Sequence, residues 1–188
     1  MINLKITKSI TILMLCVFSG SAFSREKPSV TFPASVSLQS GHRLNLRGTG
    51  LLRYKLVFKA YEAALYLEND KASAPLADVP KQLTIHYFWD IEKKAFAGAA
   101  TKQLKKQYKK ETLAQVMPQI NAFHELCADI KKGDQYQLRY EPGYGTELLH
   151  NNKRLGVIQG KAFAKAYFGL WLGPKPLSKP LKKQLLKQ

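Results

Sequence analysis

The tightest constraint on this chain is a two-residue rhythm of apolar side chains. Leu83, Ile85, Tyr87 and Trp89 alternate with Thr84 and His86, which fall on the opposite face. Leu52, Tyr54, Leu56 and Phe58 show the same period, and Tyr61, Ala63, Leu65 and Leu67 resume it one residue out of phase. The phase change predicts a bulge or turn between the two runs. Arg43 to Arg47 also alternates, and Gly48-Thr49-Gly50 behind it predicts a turn. The third run ends at the polar Glu68-Asn69-Asp70-Lys71. Strands that are more polar on one side predict an antiparallel sheet covered on one face only.

The rhythm then changes to that of helices. From Asp90 as an N-cap, Ile91, Ala95, Phe96, Ala99, Leu104 and Tyr108 fall near one stripe, with Lys102, Lys105, Lys106, Lys109 and Lys110 mostly away from it. A second helical stretch runs from Leu113 to Cys127, bent or restarted at Pro118. Lys132-Gly133-Asp134 returns the chain to strands, carrying Tyr136, Leu138 and Tyr140, then the turn Pro142-Gly143-Tyr144-Gly145. Glu147–Leu149 and Leu155–Val157 pair across Asn151-Asn152, residues that tolerate left-handed turns. Phe163, Ala166, Tyr167, Leu170 and Trp171 form a full apolar helical stripe, stopped by Gly173-Pro174. Ser178 caps a last short helix, with Pro180 in its first turn. Strands and helices in blocks, without a βαβ alternation, make the class α+β.

The N-terminus carries an export signature. Lys5 and Lys8 precede the apolar stretch Ile10 to Phe18, and Ala22 and Ser24 occupy the −3 and −1 places of a small-x-small cleavage site. The apolar stretch is about half of the ~20 residues needed to span a bilayer. Cys16 raises a lipoprotein reading, but Leu15 stands before it where lipoprotein processing wants a small residue. Cleavage after Ser24 leaves residues 25–188 as one domain working in a bacterial periplasm. Cys127 is then the only cysteine, so an intramolecular disulfide is excluded and a buried apolar role is expected. His42, His86, His124 and His150 lack ligand spacing, so neither a metal nor another cofactor is expected. The chain has 30 Lys and Arg against 13 Asp and Glu, a net charge of +17, of which the export segment removes two lysines. Such a surface favours anionic partners, an anionic membrane surface among them, while export argues against nucleic acid.

Gly48-Thr49-Gly50-Leu51-Leu52-Arg53, Tyr61-Glu62-Ala63-Ala64-Leu65-Tyr66-Leu67, Lys132-Gly133-Asp134, Gly143-Tyr144-Gly145-Thr146, Phe163 and Trp171-Leu172-Gly173 occur in that order, with Pro176 and the closing Leu-Lys-Lys-Gln-Leu-Leu. In this ordered set the chain resembles the chalcone isomerase-like family, and in particular its small exported bacterial branch. The resemblance implies an open-faced β-sandwich, a large antiparallel sheet with helices packed on one face. The family holds true isomerases, and also non-catalytic members that bind fatty acids in the cleft between sheet and helices. In both, an arginine after the Gly-x-Gly turn faces an anionic oxygen of the ligand, and Arg53 stands there. A guanidinium suits that task because it offers a fixed fork of donors and stays charged.

The rest of the isomerase site departs from the family pattern. Tyr61 stands where plant isomerases have a threonine, Phe96 and Gln103 where they have a tyrosine and an asparagine, and Leu170 where they have Ser or Thr. Losing hydroxyl donors removes groups that would stabilise developing charge. The resemblance therefore implies a non-catalytic protein that binds a fatty acid or similar amphipathic anion, lined by Arg53, Tyr61, Gln103, Phe96 and Leu170. Two other readings stay open: an isomerase or intramolecular lyase acting on an enone or phenolic substrate, and a basic envelope-interaction protein with a closed cleft. Alternation alone gives Arg53 a different reading, with Lys55 and Lys59, as a solvated strand residue.

Overall fold

The computed structural model describes residues 29–54, 58–68 and 74–187. The predicted export segment 1–24, with Cys16, lies outside the described residues, as do Leu56 and Asn69-Asp70-Lys71. Seven strands form one antiparallel sheet in simple sequence order: β1 (Ser35–Ser37), β2 (Arg43–Tyr54), β3 (Phe58–Leu67), β4 (Lys81–Tyr87), β5 (Gln135–Glu141), β6 (Gly145–His150) and β7 (Lys153–Ile158). Helices α1 (Lys93–Gln107), α2 (Lys110–Ala114) and α3 (Met117–Leu126) lie between β4 and β5, while α4 (Lys161–Leu172) and α5 (Lys179–Leu186) follow β7. This is the α+β open-faced sandwich that the alternating strands and the resemblance predict. Among the described residues no helix is long and apolar enough to cross a membrane.

The period-two runs sort onto two faces. Tyr61, Ala63, Leu65, Leu67, Leu83, Ile85, Tyr87, Tyr136 and Leu138 turn toward the helices and are buried in the main core. Phe163, Tyr167, Leu170 and Trp171 bring the apolar stripe of α4 down on them. Burying each of these large side chains contributes about 1.5–3 kcal/mol. The phase change before Tyr61 is a bulge: Leu52 pairs with Tyr61 and Arg53 with Lys59, leaving Ala60 as the extra residue.

Gly48-Thr49-Gly50 does not turn the chain; β2 continues through it, with a bulge in its pairing between Leu46 and Gly48. The glycines serve close approach instead. A Cβ on Gly48 would sit 2.5 Å from the backbone oxygens of Gln184 and Leu185, and one on Gly50 would meet Gln184 and Leu181 at 2.7 Å. Helix α5 thus lies directly on β2, where the Leu51 amide donates to Gln184 Oε1 at 3.0 Å.

Two boundaries also differ from the sequence reading. Trp89 lies beyond the end of β4 and is exposed. Asp90 does not cap α1, which begins at Lys93; its carboxylate instead accepts from the Lys132 amide at 2.8 Å. The second helical stretch restarts at Pro118 as expected: it is two helices, and Pro118 sits in the first turn of α3, where its missing N–H costs no internal bond. The turn at Asn151 (φ 50°) and Asn152 (φ 66°) has both residues left-handed, as a tight hairpin requires.

The far face of the sheet is not open along its whole width. Phe32 and Leu38, from the segment before and after β1, pack on Leu44, Ala64 and Tyr66 there. Glu62, 4 % exposed, accepts from the Ser29 amide (2.8 Å), the Ser29 hydroxyl (3.0 Å) and the Val30 amide (2.9 Å), pinning that segment down. Farther along the same face a polar network takes over. Arg139 donates to Gln82 at 3.0 Å and to Gln137 at 2.9 Å, Gln82 donates to Thr84, and Gln137 donates to Asn152. Arg139 and Arg154 flank the buried carboxylate of Glu147.

Candidate functional site

The residues expected to line a ligand cleft come from β2, β3, α1 and α4, and the fold brings three of the five into one wall. Tyr61, on the inner face of β3, is buried, and its hydroxyl accepts a hydrogen bond from Trp171 Nε1 at 2.9 Å. Leu170, beside Trp171 on α4, is 1 % exposed. Phe96, on the first turn of α1, packs edge-on against Tyr136 with ring centroids 5.8 Å apart. Tyr136 meets Tyr87 at 5.9 Å and Tyr87 meets Tyr61 at 5.6 Å, both edge-on, the geometry the ring quadrupoles prefer. An unbroken aromatic wall therefore runs from α1 across β5, β4 and β3 to Trp171.

The other two residues stand at its margins. Gln103 lies two turns along α1 from Phe96, and its amide nitrogen donates to the Lys175 carbonyl at 2.7 Å, tying α1 to the loop after α4. Arg53 is exposed at the end of β2, opposite Lys59. Beside them lie Phe58 and Trp89, 53 % and 56 % exposed, and Trp89 Nε1 donates to the Lys59 carbonyl at 2.7 Å. One corner of the sheet thus gathers two cations and two exposed aromatic rings next to the aromatic wall.

The chemistry left to this arrangement is narrow. Burial pushes the Tyr61 hydroxyl far above its usual range, against the lowering effect of its bond from Trp171, so it stays protonated. Burial does the same to Tyr87, helped by Tyr61 and Tyr136. His124 is buried on α3 with Nε2 3.2 Å from the Tyr167 hydroxyl, and burial lowers its pKa, keeping it neutral. The Cys127 thiol is pushed up to about 12 by burial, which leaves it an apolar filler with no nucleophilic character. Among the described residues no group of three His, Cys, Asp or Glu side chains is placed to hold a metal ion.

Sequence reasoning missed the partners that make the wall continuous. The helical stripe places Trp171 in the core and on the cleft wall but does not reveal its hydrogen bond to a residue 110 positions away. Tyr87 and Tyr136 were visible as alternating strand residues, and their common face follows from the pairing of Ile85 with Tyr136 and Tyr61 with Tyr87. A second polar cluster also lacked any linear signal: Lys81, 2 % exposed, sits 5.0 Å from the centre of the Tyr140 ring and donates to the Ala77 carbonyl, while the Tyr140 hydroxyl donates to Asp78.

Comparison with known proteins agrees with this architecture. Residues 24–187 match the family profile described as chalcone isomerase-like. A solved fatty-acid binding protein of Arabidopsis thaliana shares the fold at a TM-score of 0.63 and 16 % identity, over 81 % of this chain and 95 % of that one. No curated protein matches the sequence significantly.

Proposed function

The chain belongs to the chalcone isomerase-like family, and from that premise we propose that it is a non-catalytic binding protein for a fatty acid or similar amphipathic anion. The observations that support this reading are the aromatic wall, an apolar surface for an acyl chain, and Arg53, exposed on β2 one residue beyond the Leu52 that pairs with Tyr61. Such sites pair a mostly apolar surface with a few convergent polar groups. The fold likeness to a plant fatty-acid binding protein supports the same reading. Leu170 and Phe96 carry no hydroxyl, and the Gln103 amide nitrogen donates to the Lys175 carbonyl, so fewer donors face a developing oxyanion here than in the isomerase pattern. The Trp171–Tyr61 hydrogen bond ties α4 to β3 at the end of the wall.

We further propose that residues 1–24 are a cleaved export signal and that residues 25–188 work in a bacterial periplasm; N-terminal sequencing of the protein recovered from the envelope fraction tests this. The ligand reading is tested by native mass spectrometry of the purified protein, followed by organic extraction. A stoichiometric fatty acid is expected. Arg53→Ala should weaken its retention about tenfold or more, the scale of a charge-assisted hydrogen bond. An unchanged mass after incubation with long-chain fatty acids would sink the reading. Turnover of a chalcone or other enone, lost in Arg53→Ala, would replace it with the isomerase reading.

A further inference from the structure

Helix α1 carries charge of one sign only. Its 15 residues include Lys93, Lys94, Lys102, Lys105 and Lys106 and no acidic residue. Lys102 and Lys106 stand four apart and repel, and Lys93 and Lys94 sit at the end where the helix dipole disfavours cations. Only Ala100 and Leu104 of the helix are buried.

The lysines are not used in folding, apart from the first. Lys93 Nζ pairs with Glu125 at 3.1 Å, and its amide is capped by Asp129 at 2.9 Å. Those two carboxylates and Glu92 cluster around the first turn. Beyond it, Lys94, Lys102, Lys105 and Lys106 make no ion pair among the described residues. They border an open groove of about 1070 Å³ between α1 and α3. Small residues keep it clear: a Cβ on Gly98 would meet nothing within 4 Å.

We propose that this lysine face of α1 docks the protein on an anionic phospholipid bilayer. From Lys94 to Lys106 the helix extends about 18 Å, a length that addresses several lipid headgroups rather than one phosphate. Trp89, 56 % exposed, lies in the segment leading into α1 and supplies the aromatic group that bilayer interfaces favour. The opposite side of α1 carries Phe96 onto the aromatic wall, so docking by the lysines leaves the wall about one helix diameter from the membrane. The inference goes beyond the ligand reading and does not depend on it.

The test is co-sedimentation of the mature protein with vesicles of phosphatidylcholine, alone or mixed with phosphatidylglycerol. Binding is expected only to the mixed vesicles and should fade in high salt, as screening shortens the reach of each charge. Lys102→Glu/Lys105→Glu/Lys106→Glu should reduce binding by more than about tenfold, given the contribution of each lysine near an anionic surface. Lys153→Glu/Lys161→Glu/Lys183→Glu, the same charge change spread over β7, α4 and α5, should reduce it far less. Circular dichroism establishes that each variant is folded, and the Lys→Gln versions of both sets stand in for any that is not. Equal losses in the two sets would leave net charge alone as the cause and overturn the proposal. Displacement by inorganic phosphate but not by chloride at matched ionic strength would replace it with a discrete phosphate site.

Discussion

The two faces of the sheet are made from alternate residues of the same strands, yet they are held by opposite means. On the helix side Leu65, Leu83, Ile85 and Leu138 disappear under α4 with no polar partner needed. On the far side Gln82, Thr84, Gln137 and Glu147 are nearly as deeply buried, and hydrogen bonds and ion pairs, several of them from the half-buried Arg139, hold them together. The first face draws its strength from area removed from water, which tolerates imprecise geometry. The second depends on each donor finding its acceptor, because a buried polar group left unpaired costs about 1–3 kcal/mol. One face is therefore robust in kind and sensitive to volume; the other is indifferent to volume and sensitive to single atoms.

The largest break in this contrast is expected from Phe163→Ala, which removes a fully buried ring from the helix side and should cost about 3–5 kcal/mol in urea unfolding. Next comes Gly48→Ala. Its added methyl meets backbone rather than a movable side chain, so overpacking of about 1–3 kcal/mol is expected, together with faster amide exchange across α5. Glu62→Gln probes the far face. Its neutral amide cannot serve two amides and a hydroxyl as well as the carboxylate does, and a loss of about 1 kcal/mol is expected, with exchange rising at Ser29 and Val30 while α4 stays protected.

The smallest effect sharpens the comparison from its one exception, the cation on the helix side. Burial lowers the Lys81 pKa to about 8, against the opposing pull of Asp78. Between pH 8 and the ordinary lysine range near 10.4 the unfolded chain holds a proton that the folded one has released, so this group adds stability as pH rises. The stability of the wild type measured against Lys81→Met should therefore climb by about 1 kcal/mol over the pH unit above 8. A flat difference would mean that Lys81 is solvated.

Much of this was legible in the sequence where the periodicity was strong. The stripe of α4 and the alternation of β3 and β4 come from side chains whose partners differ little in chemistry, so the pattern alone fixes the face. Gly48-Thr49-Gly50 misled because glycine answers two needs, a turn or a close neighbour, and the neighbour here is α5, more than 130 residues further along the chain. Asp90 looked like a cap because a carboxylate before a helix usually is one; its better donors came from the Lys131-Lys132 segment across the sheet end. Phe96, Tyr61 and Leu170 pack on the helix side as their periodicity predicts, whereas the Trp171 hydrogen bond to Tyr61, a pairing across 110 residues, leaves no local trace.

The plain order of the strands has a consequence in time. Each strand pairs with the one made just before it, so the sheet can be laid down hairpin by hairpin as the chain becomes available. Strand β2 is the exception, for its glycines are covered only when α5 arrives. The last helix synthesised therefore completes the first long strand, and a chain halted short of Leu181 would hold a nearly finished sheet whose earliest hairpin still waits for its cover.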